Sequence, residues 1–220
     1  MFAPAALLGF FAVTRVTEPL SANFFLASAA ALAIVGASLN QFGTGLATDR
    51  ALRQADPSAH PPLAGRIAER GIRAWIIAGT AIALALIVAI VFTPVSMRVG
   101  TWLLVGFSLL IGSAPVVLGA MCIAFWARPE AARTIANIVL LFLCFGVGLV
   151  LPPWSLSRFV WQASVVLPSR HYADIAWAPA LGWDFALENW AWLALFTAVL
   201  GTGAVLGLRR AQRQQAPAHD

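Results

Sequence analysis

Residues that could perform acid–base chemistry are few and scattered in this sequence. The histidines His60, His171 and His219 lie in different polar segments, and none has a carboxylate at a metal-site spacing. The one suggestive pair is His171 with Asp174, because an i, i+3 spacing on a helix can bring an imidazole and a carboxylate together as base and acid. The surrounding PSRHYAD also suits a polar turn between two helical segments. We expect no catalytic residue and no metal site.

The basic residues indicate whether this chain can hydrolyse ATP. The chain has fourteen basic side chains, all of them Arg, and no Lys. A phosphate-binding loop of the form G-x-x-x-x-G-K-[ST] needs its Lys to reach the phosphates of ATP. These 220 residues therefore contain no such loop. If ATP drives this protein, another chain hydrolyses it, and we expect no cofactor here.

The composition indicates which solvent surrounds the helices. Hydrophobic residues make up 60% and charged residues 10% of the chain, and the mean hydropathy is +0.83. Soluble proteins average about 25% charged residues. We therefore expect one all-α, polytopic membrane domain over residues 1–220, with membrane lipid as its surroundings. The net charge of +5 comes from Arg in short segments beside apolar runs, which positive-inside topology explains without a nucleic acid partner.

The apolar runs predict about six spans, since about 20 residues rising 1.5 Å each cross a hydrocarbon core of about 30 Å. The predicted spans are 2–13, 24–47, 74–93, 101–126 with a kink at Pro115, 134–151 and 186–208. An amphipathic helix over about 153–170 is expected at the outer interface, or dipping into it, before the last span. Most of the Arg residues fall in a segment over about 48–73, a connector at 127–133 and a tail at 209–220. We expect these three segments to be cytoplasmic.

The interiors of the confidently predicted spans lack ionisable side chains. Their polar residues are of the kind of Asn40, Gln41, Ser108 and Asn137, and Asp, Glu, Arg and His are absent. Proton and ion relays within membranes use such ionisable groups. The pattern therefore favours a lipophilic cargo or an energy source outside the membrane over a secondary transporter.

Two stretches resemble a known family, the type-2 ATP-binding-cassette (ABC) export permeases. The first is ARPEAARTIANIVLLFLCFGVGLVLPPWSLSRFVWQASVVLPSRHYADIAW at 127–177, which is similar to the family's order of small-residue connector, Ala-Asn helix, Gly-rich end, Pro stop, external re-entrant helix and Leu-Pro turn. The second is FGTGLATDR at 42–50, similar to the junction between a span and the cytoplasmic coupling helix. The family usually has Glu-Arg-Gly after this junction, where this chain has Ala51-Leu52-Arg53.

The resemblance implies the membrane-spanning subunit of a bacterial drug, antibiotic or polysaccharide exporter in the inner membrane. It implies a second permease subunit, identical or different, and an ABC ATPase subunit that holds ATP and Mg. Asp49 and Arg50 match the coupling position, and Leu52 and Arg53 fall where the coupling helix should continue, so these four residues are the candidates for coupling to the ATPase. The residues agree with such a helix, since Thr48 or Asp49 can cap its start and Asp56-Pro57 stops it.

A second group of residues is expected on the outer side. Trp154, Phe159 and Trp161 on the outer helix are candidates for an external gate or substrate path. The alternative reading of the whole chain is a membrane scaffold that transports nothing, or a small membrane enzyme that uses His171 and Asp174.

Overall fold

The computed structural model describes residues 18–56, 62–146, 157–184 and 186–213, and within these ranges every regular element is a helix. The prediction of an all-α protein is confirmed. The helices are α1 Pro19–Ala55, α2 Leu63–Phe92, α3 Val99–Gly112, α4 Ala114–Trp126, α5 Pro129–Leu141, α6 Arg158–Ser164, α7 Pro168–Leu181 and α8 Leu187–Arg213. Helix α1 contains a π-helical stretch, Ala37–Gly43, and α5 continues into another, Phe142–Gly146.

Four helices of the described chain are long and apolar enough to cross a membrane. They are Pro19–Ala55, Leu63–Phe92, Val99–Trp126, which joins α3 and α4, and Leu187–Arg213. The predicted spans 24–47, 74–93, 101–126 and 186–208 correspond to them. The predicted span 2–13 lies outside the described residues, and so does the part of 134–151 that follows Gly146. The count of six spans therefore stays a prediction.

Helix α1 forms the centre of the bundle. In its most apolar window 78% of the residues are buried, against 17% in α2 and in α8. Its first half, PLSANFFLASAAALAIVG, is rich in Ala, so neighbouring helices approach it closely on all sides. Helices α2 and α8 instead expose large side chains such as Ile87, Ile90 and Val199. Such an extended apolar surface is what a lipid-facing helix presents.

The segment at 48–73 differs from its prediction. No helix begins at Thr48 or Asp49, because α1 continues through them, and the Thr48 hydroxyl donates to the Thr44 carbonyl oxygen at 3.0 Å instead of capping a new helix. The predicted stop is confirmed, since the helix ends at Ala55 and Asp56 is extended. Helix α2 begins at Leu63, well before the predicted residue 74. The described parts of this segment are thus extensions of two long helices.

The helix over 101–126 is interrupted next to the residue predicted to kink it. The helix is interrupted at Ser113, and Pro115 lies in the first turn of α4, where a proline costs no helical hydrogen bond. The Ser113 hydroxyl donates to the Leu110 carbonyl oxygen at 2.7 Å, which satisfies one of the acceptors that the break leaves open.

The outer segment before α8 departs furthest from its prediction. The expected helix over 153–170 is broken at 165–167, with α6 ending at Ser164 and α7 beginning at Pro168. The expected polar turn around His171 is wrong, because that stretch forms α7, and α7 is mostly buried. Trp177 is fully buried in it, packs against Phe24 at 4.9 Å between ring centroids with the planes tilted by 41°, and donates to the Ser28 hydroxyl at 2.9 Å. Burial against α1 overrode the polar character of the sequence.

The two ends of the bundle collect different segments. Asn23, near the start of α1, donates to the carbonyl oxygens of Ser96 at 3.1 Å and Ala180 at 3.3 Å. Near the other end of α1, Arg50 donates to the carbonyl oxygens of Phe125 and Ala127. Segments predicted to share a side of the membrane therefore meet at the same end. We call the end around Arg50 the arginine-rich end and the other the Asn23 end.

We expect Gly207→Ala to destabilise the bundle and Gly79→Ala to leave it unchanged or stabilise it. A methyl carbon at Gly207 would lie 2.7 Å from Phe125 Cβ, whereas nothing lies within 4 Å of one at Gly79. Overpacking costs about 1–3 kcal/mol, while Gly to Ala in an open helix position is favourable by up to about 1 kcal/mol. Thermal denaturation in detergent measures both. Equal midpoints for the two variants would contradict the close packing of α4 and α8.

Candidate functional site

An ion pair joins the two long helices at the arginine-rich end. Arg70 on α2 donates to both carboxylate oxygens of Asp49 on α1, with Nε–Oδ2 at 2.8 Å and Nη2–Oδ1 at 2.9 Å. The Asp49 side chain is 7% exposed and that of Arg70 is 24% exposed. A bidentate guanidinium–carboxylate contact fixes the orientation of both groups. The ion pair therefore holds the ends of α1 and α2 in one register.

The adjacent residue connects α1 to a third helix. Arg50 is buried, and its Nη2 donates to the Ala127 carbonyl oxygen at 2.7 Å while Nη1 donates to that of Phe125. Helix α4 ends at Trp126, so these carbonyl groups lie at its C-terminus, where the helix dipole attracts a positive charge. Arg50 thus caps α4 from α1.

Glycines allow these close approaches. A Cβ on Gly45 would lie 2.9 Å from Arg70 Nη1, and one on Gly43 would lie 3.0 Å from the Ala120 carbonyl oxygen. Arg210 on α8 adds a further contact to this end, with its guanidinium carbon 5.5 Å from the ring centroid of Trp126. The arginine-rich end therefore joins α1, α2, α4 and α8.

The other two predicted coupling residues lie beyond this junction on the last turns of α1. Leu52 is 47% exposed and Arg53 is half-buried. The four residues predicted for coupling are thus divided by the structure. Asp49 and Arg50 hold the helices together, and Leu52 and Arg53 lie on a tip that projects past them.

A second polar cluster lies around α7. Arg170 Nε donates to Asp174 Oδ2 at 2.7 Å, and Arg170 Nη1 donates to the Ser164 hydroxyl at 3.1 Å. The Arg170 side chain is 6% exposed and that of Asp174 is 16% exposed. Burial raises the pKa of the Asp174 carboxyl, and the hydrogen bond and charge of Arg170 and the nearby His171 only partly oppose this shift. Asp174 Oδ1 is buried and has no hydrogen-bond partner.

The predicted acid–base pair is not formed in this cluster. His171 is buried, with Nδ1 at 2.8 Å from Asn189 Oδ1 and Nε2 at 2.8 Å from the Val165 carbonyl oxygen. Its ring stacks on Trp192 at 5.5 Å between centroids. Both ring nitrogens are therefore occupied by structural partners, and Asp174 is paired with Arg170 instead. The arrangement orients helices and leaves no free imidazole nitrogen for proton transfer.

The residues predicted for an external gate are only partly placed. Trp154 lies outside the described residues. Phe159 is on α6 and is 79% exposed. Trp161 belongs to the same helix, and its side chain lies outside the described part of the chain. The proposal of a gate at these residues stays a prediction.

Two cavities open between the helices. One of about 230 Å³ is almost wholly apolar and lies among α1, α2 and α4, with Phe42, Trp75 and Met121 on its wall. The other, of about 430 Å³, lies among α3, α7 and the start of α8, and its wall includes Asp174 and Asn189. Among the described residues no group of three or more His, Cys, Asp or Glu could hold a metal ion.

Sequence reasoning missed Arg70 and Asn189 as partners. Arg70 was one of several arginines in a polar segment, and Asn189 stood at the start of a span with nothing to connect it to His171. The distance along the chain explains this failure, since no helical spacing relates Asp49 to Arg70 or His171 to Asn189. The single available signal was the presence of complementary groups near helix ends.

Comparison with protein-family models, with curated proteins and with solved structures found no match for this chain. The class that the structure itself defines is a helical bundle, whose described part contains four helices able to cross a membrane by length and composition.

We expect the Asp49–Arg70 ion pair to dominate the stability of the arginine-rich end. Asp49→Asn and Arg70→Gln should each lower the free energy of unfolding by about 2–5 kcal/mol, because each leaves a partly buried charge unpaired. The control is Arg73→Gln, whose ion pair with Glu69 involves an arginine side chain that is 60% exposed and is worth about 0–1 kcal/mol. Chemical denaturation of a double-mutant cycle measures the coupling. Additive effects of the two single variants would contradict the assignment.

Proposed function

We propose that this chain is the membrane-spanning permease subunit of an ATP-driven exporter of the type-2 ABC class. In this proposal it pairs with a second permease subunit, identical or different, and with separate ATPase subunits that bind ATP and Mg. It moves a lipophilic or amphipathic substrate out of a bacterial cell across the inner membrane.

One structural observation carries this proposal. Helix α1 runs as one helix, through the π-helical stretch Ala37–Gly43, from its buried, Ala-rich half to a tip with the exposed Leu52 and the half-buried Arg53. A separate coupling helix on a loop could move without the spans. Here no loop lies between the spanning part and the tip, and backbone hydrogen bonds connect each turn to the next, so a displacement of the tip is carried into the bundle.

The contacts of Asp49 and Arg50, just before the tip, connect a movement of α1 to several helices. Asp49 connects α1 to α2 through Arg70, and Arg50 connects α1 to the end of α4. A displacement of the tip therefore moves three long helices relative to their other neighbours. This is the mechanical property that a subunit needs if another protein supplies its energy.

The sequence gives independent support. The resemblance of 42–50 to the coupling junction of these permeases implies that Asp49 and Arg50 belong to this junction and that Leu52 and Arg53 follow it towards the ATPase. These 220 residues contain no phosphate-binding loop, which agrees with ATP hydrolysis on a separate subunit.

The alternatives are less well supported. A membrane enzyme using His171 and Asp174 as base and acid would need the two side chains to act on one substrate, whereas Asp174 pairs with Arg170 and the ring nitrogens of His171 face Asn189 and the Val165 carbonyl oxygen. A scaffold that transports nothing remains the competing proposal, and association with an ATPase distinguishes the two.

The test is purification of the tagged chain from its native membranes in mild detergent. We expect an ATPase with a phosphate-binding loop to copurify and to hydrolyse ATP in a vanadate-sensitive manner. Leu52→Asp and Arg53→Glu should reduce copurification at least tenfold, since each alters the tip without breaking the Asp49–Arg70 ion pair. Normal elution of the variants on size exclusion shows that they fold.

The matched control is Arg98→Glu, which reverses the charge of an exposed arginine next to the Asn23 end. We expect it to leave the copurified ATPase unchanged. A clean preparation of the native chain without any ATPase would favour the scaffold. Equal loss in Arg53→Glu and Arg98→Glu would contradict the assignment of the contact to the tip of α1.

A further inference from the structure

The larger cavity combines an aromatic wall with polar groups, two of which, Asp174 and Asn189, also make contacts within the bundle. It has a volume of about 430 Å³, within the range of about 300–1,000 Å³ of small-molecule sites. Its wall is formed by α3, α7 and the first turn of α8, with Trp183 from the connection between α7 and α8. Most of the wall is apolar, and the polar groups on it are few and convergent: Ser108, Asp174 and Asn189.

Aromatic rings form a large part of this wall. Phe107 and Trp190 lie 6.2 Å apart between ring centroids with their planes tilted by 38°, and Trp183 is 42% exposed beside them. The faces of such rings carry negative electrostatic potential and attract organic cations. Aliphatic side chains could line a cavity for a neutral apolar molecule, but they would not attract a cation in this way.

The carboxylate on the wall is incompletely satisfied. Asp174 Oδ2 accepts from Arg170, but Oδ1 is buried without any hydrogen-bond partner. A buried acceptor without a partner costs about 1–3 kcal/mol, so such atoms call for an explanation such as a ligand. A donor that enters the cavity and meets this oxygen after a small rotation of the side chain would remove the cost.

The charge around the cavity also favours a cation. Between residues 168 and 190 one arginine, Arg170, stands against three carboxylates, Asp174, Asp184 and Glu188. Asp184 follows the wall residue Trp183 in sequence and is exposed, and Glu188 precedes Asn189 and is exposed. Arg170 and Asp174 neutralise each other, so the surplus negative charge is that of Asp184 and Glu188, the sequence neighbours of two wall residues. Exposed negative charge of this kind raises the local concentration of cations.

We propose that this cavity binds a lipophilic organic cation, with a protonated amine near Asp174 and its apolar body between Phe107, Trp183 and Trp190. The site belongs to this chain alone and needs no ATPase. Its binding can therefore be measured whether or not the proposed exporter function holds.

The test uses the purified full chain in lipid nanodiscs and a matched pair of probes. The cation is (2-naphthylmethyl)ammonium, which has three N–H donors, and the control is 2-ethylnaphthalene, its uncharged isostere with carbon in place of nitrogen. Equilibrium binding of the two probes is compared. We expect the cation to bind at least tenfold more tightly. Equal binding of both probes, as in an apolar groove filled by acyl chains, would overturn the proposal, and so would the absence of any binding.

Variants assign the binding to this cavity. Ala178→Phe fills the cavity and should abolish binding, and the control Ala194→Phe places the same side chain on the exposed face of α8 and should not change it. Asp174→Asn should remove the preference for the cation.

A further variant covers the case in which Asp174→Asn fails to fold because Arg170 loses its partner. Trp190→Leu keeps that ion pair and should weaken cation binding at least fivefold. Full binding in Ala178→Phe, or an unchanged preference in Trp190→Leu, would show that the cation binds elsewhere and would overturn the assignment.

Discussion

The whole bundle depends on the way it neutralises charges next to long apolar helices. A charge or a hydrogen-bonding group that leaves water must find a partner inside the protein, because lipid and packed side chains offer none. Asp49 and Arg70 satisfy each other, and Arg50 finds the open carbonyl groups at the end of α4. Each of these contacts crosses from one helix to another. The polar groups therefore determine which helices meet and in which register, while the apolar surface only requires that they meet.

Small residues complete this arrangement. Association of helices in lipid relies on close packing, since lipid is as apolar as the side chains themselves. The Ala-rich half of α1 and the glycines 43, 45 and 207 remove side-chain atoms where neighbouring helices approach most closely. Helix α1 can consequently contact α2, α4 and α7 at once. Its neighbours α2 and α8 keep their large Ile, Leu and Val side chains on the outside, where they match lipid.

The same helix connects the two proposed sites. Its tip at Leu52 and Arg53 is the proposed contact with an ATPase, and its first half holds α7 through the contacts of Trp177 with Ser28 and Phe24. Helix α7 forms one wall of the cavity that contains Asp174. A displacement of α1 along its axis would therefore reach the cavity through direct contacts, without a separate relay of mobile loops. Within the proposed function, α1 is the element that would relate ATP hydrolysis to the cavity.

The sequence by itself determined the class of fold and the places of four apolar helices, because hydropathy and length are summed along the chain and do not depend on partners. It also located the break near Pro115 and the stop at Asp56, since proline and helix ends act through local backbone geometry. Only the tertiary structure decided which conformation the polar residues adopt and which partners they bind. Thr48 and Asp49 had the composition of a helix cap, yet α1 continues through them, with the Thr48 hydroxyl bonded to the preceding turn and Asp49 buried in its ion pair with Arg70 on α2. The stretch around His171 had the composition of a turn, yet packing against α1 made it a buried helix. In both cases the contacts join residues that are distant in sequence: Asp49 with Arg70, and Trp177 with Ser28. Local spacing carries no information about contacts made across such distances.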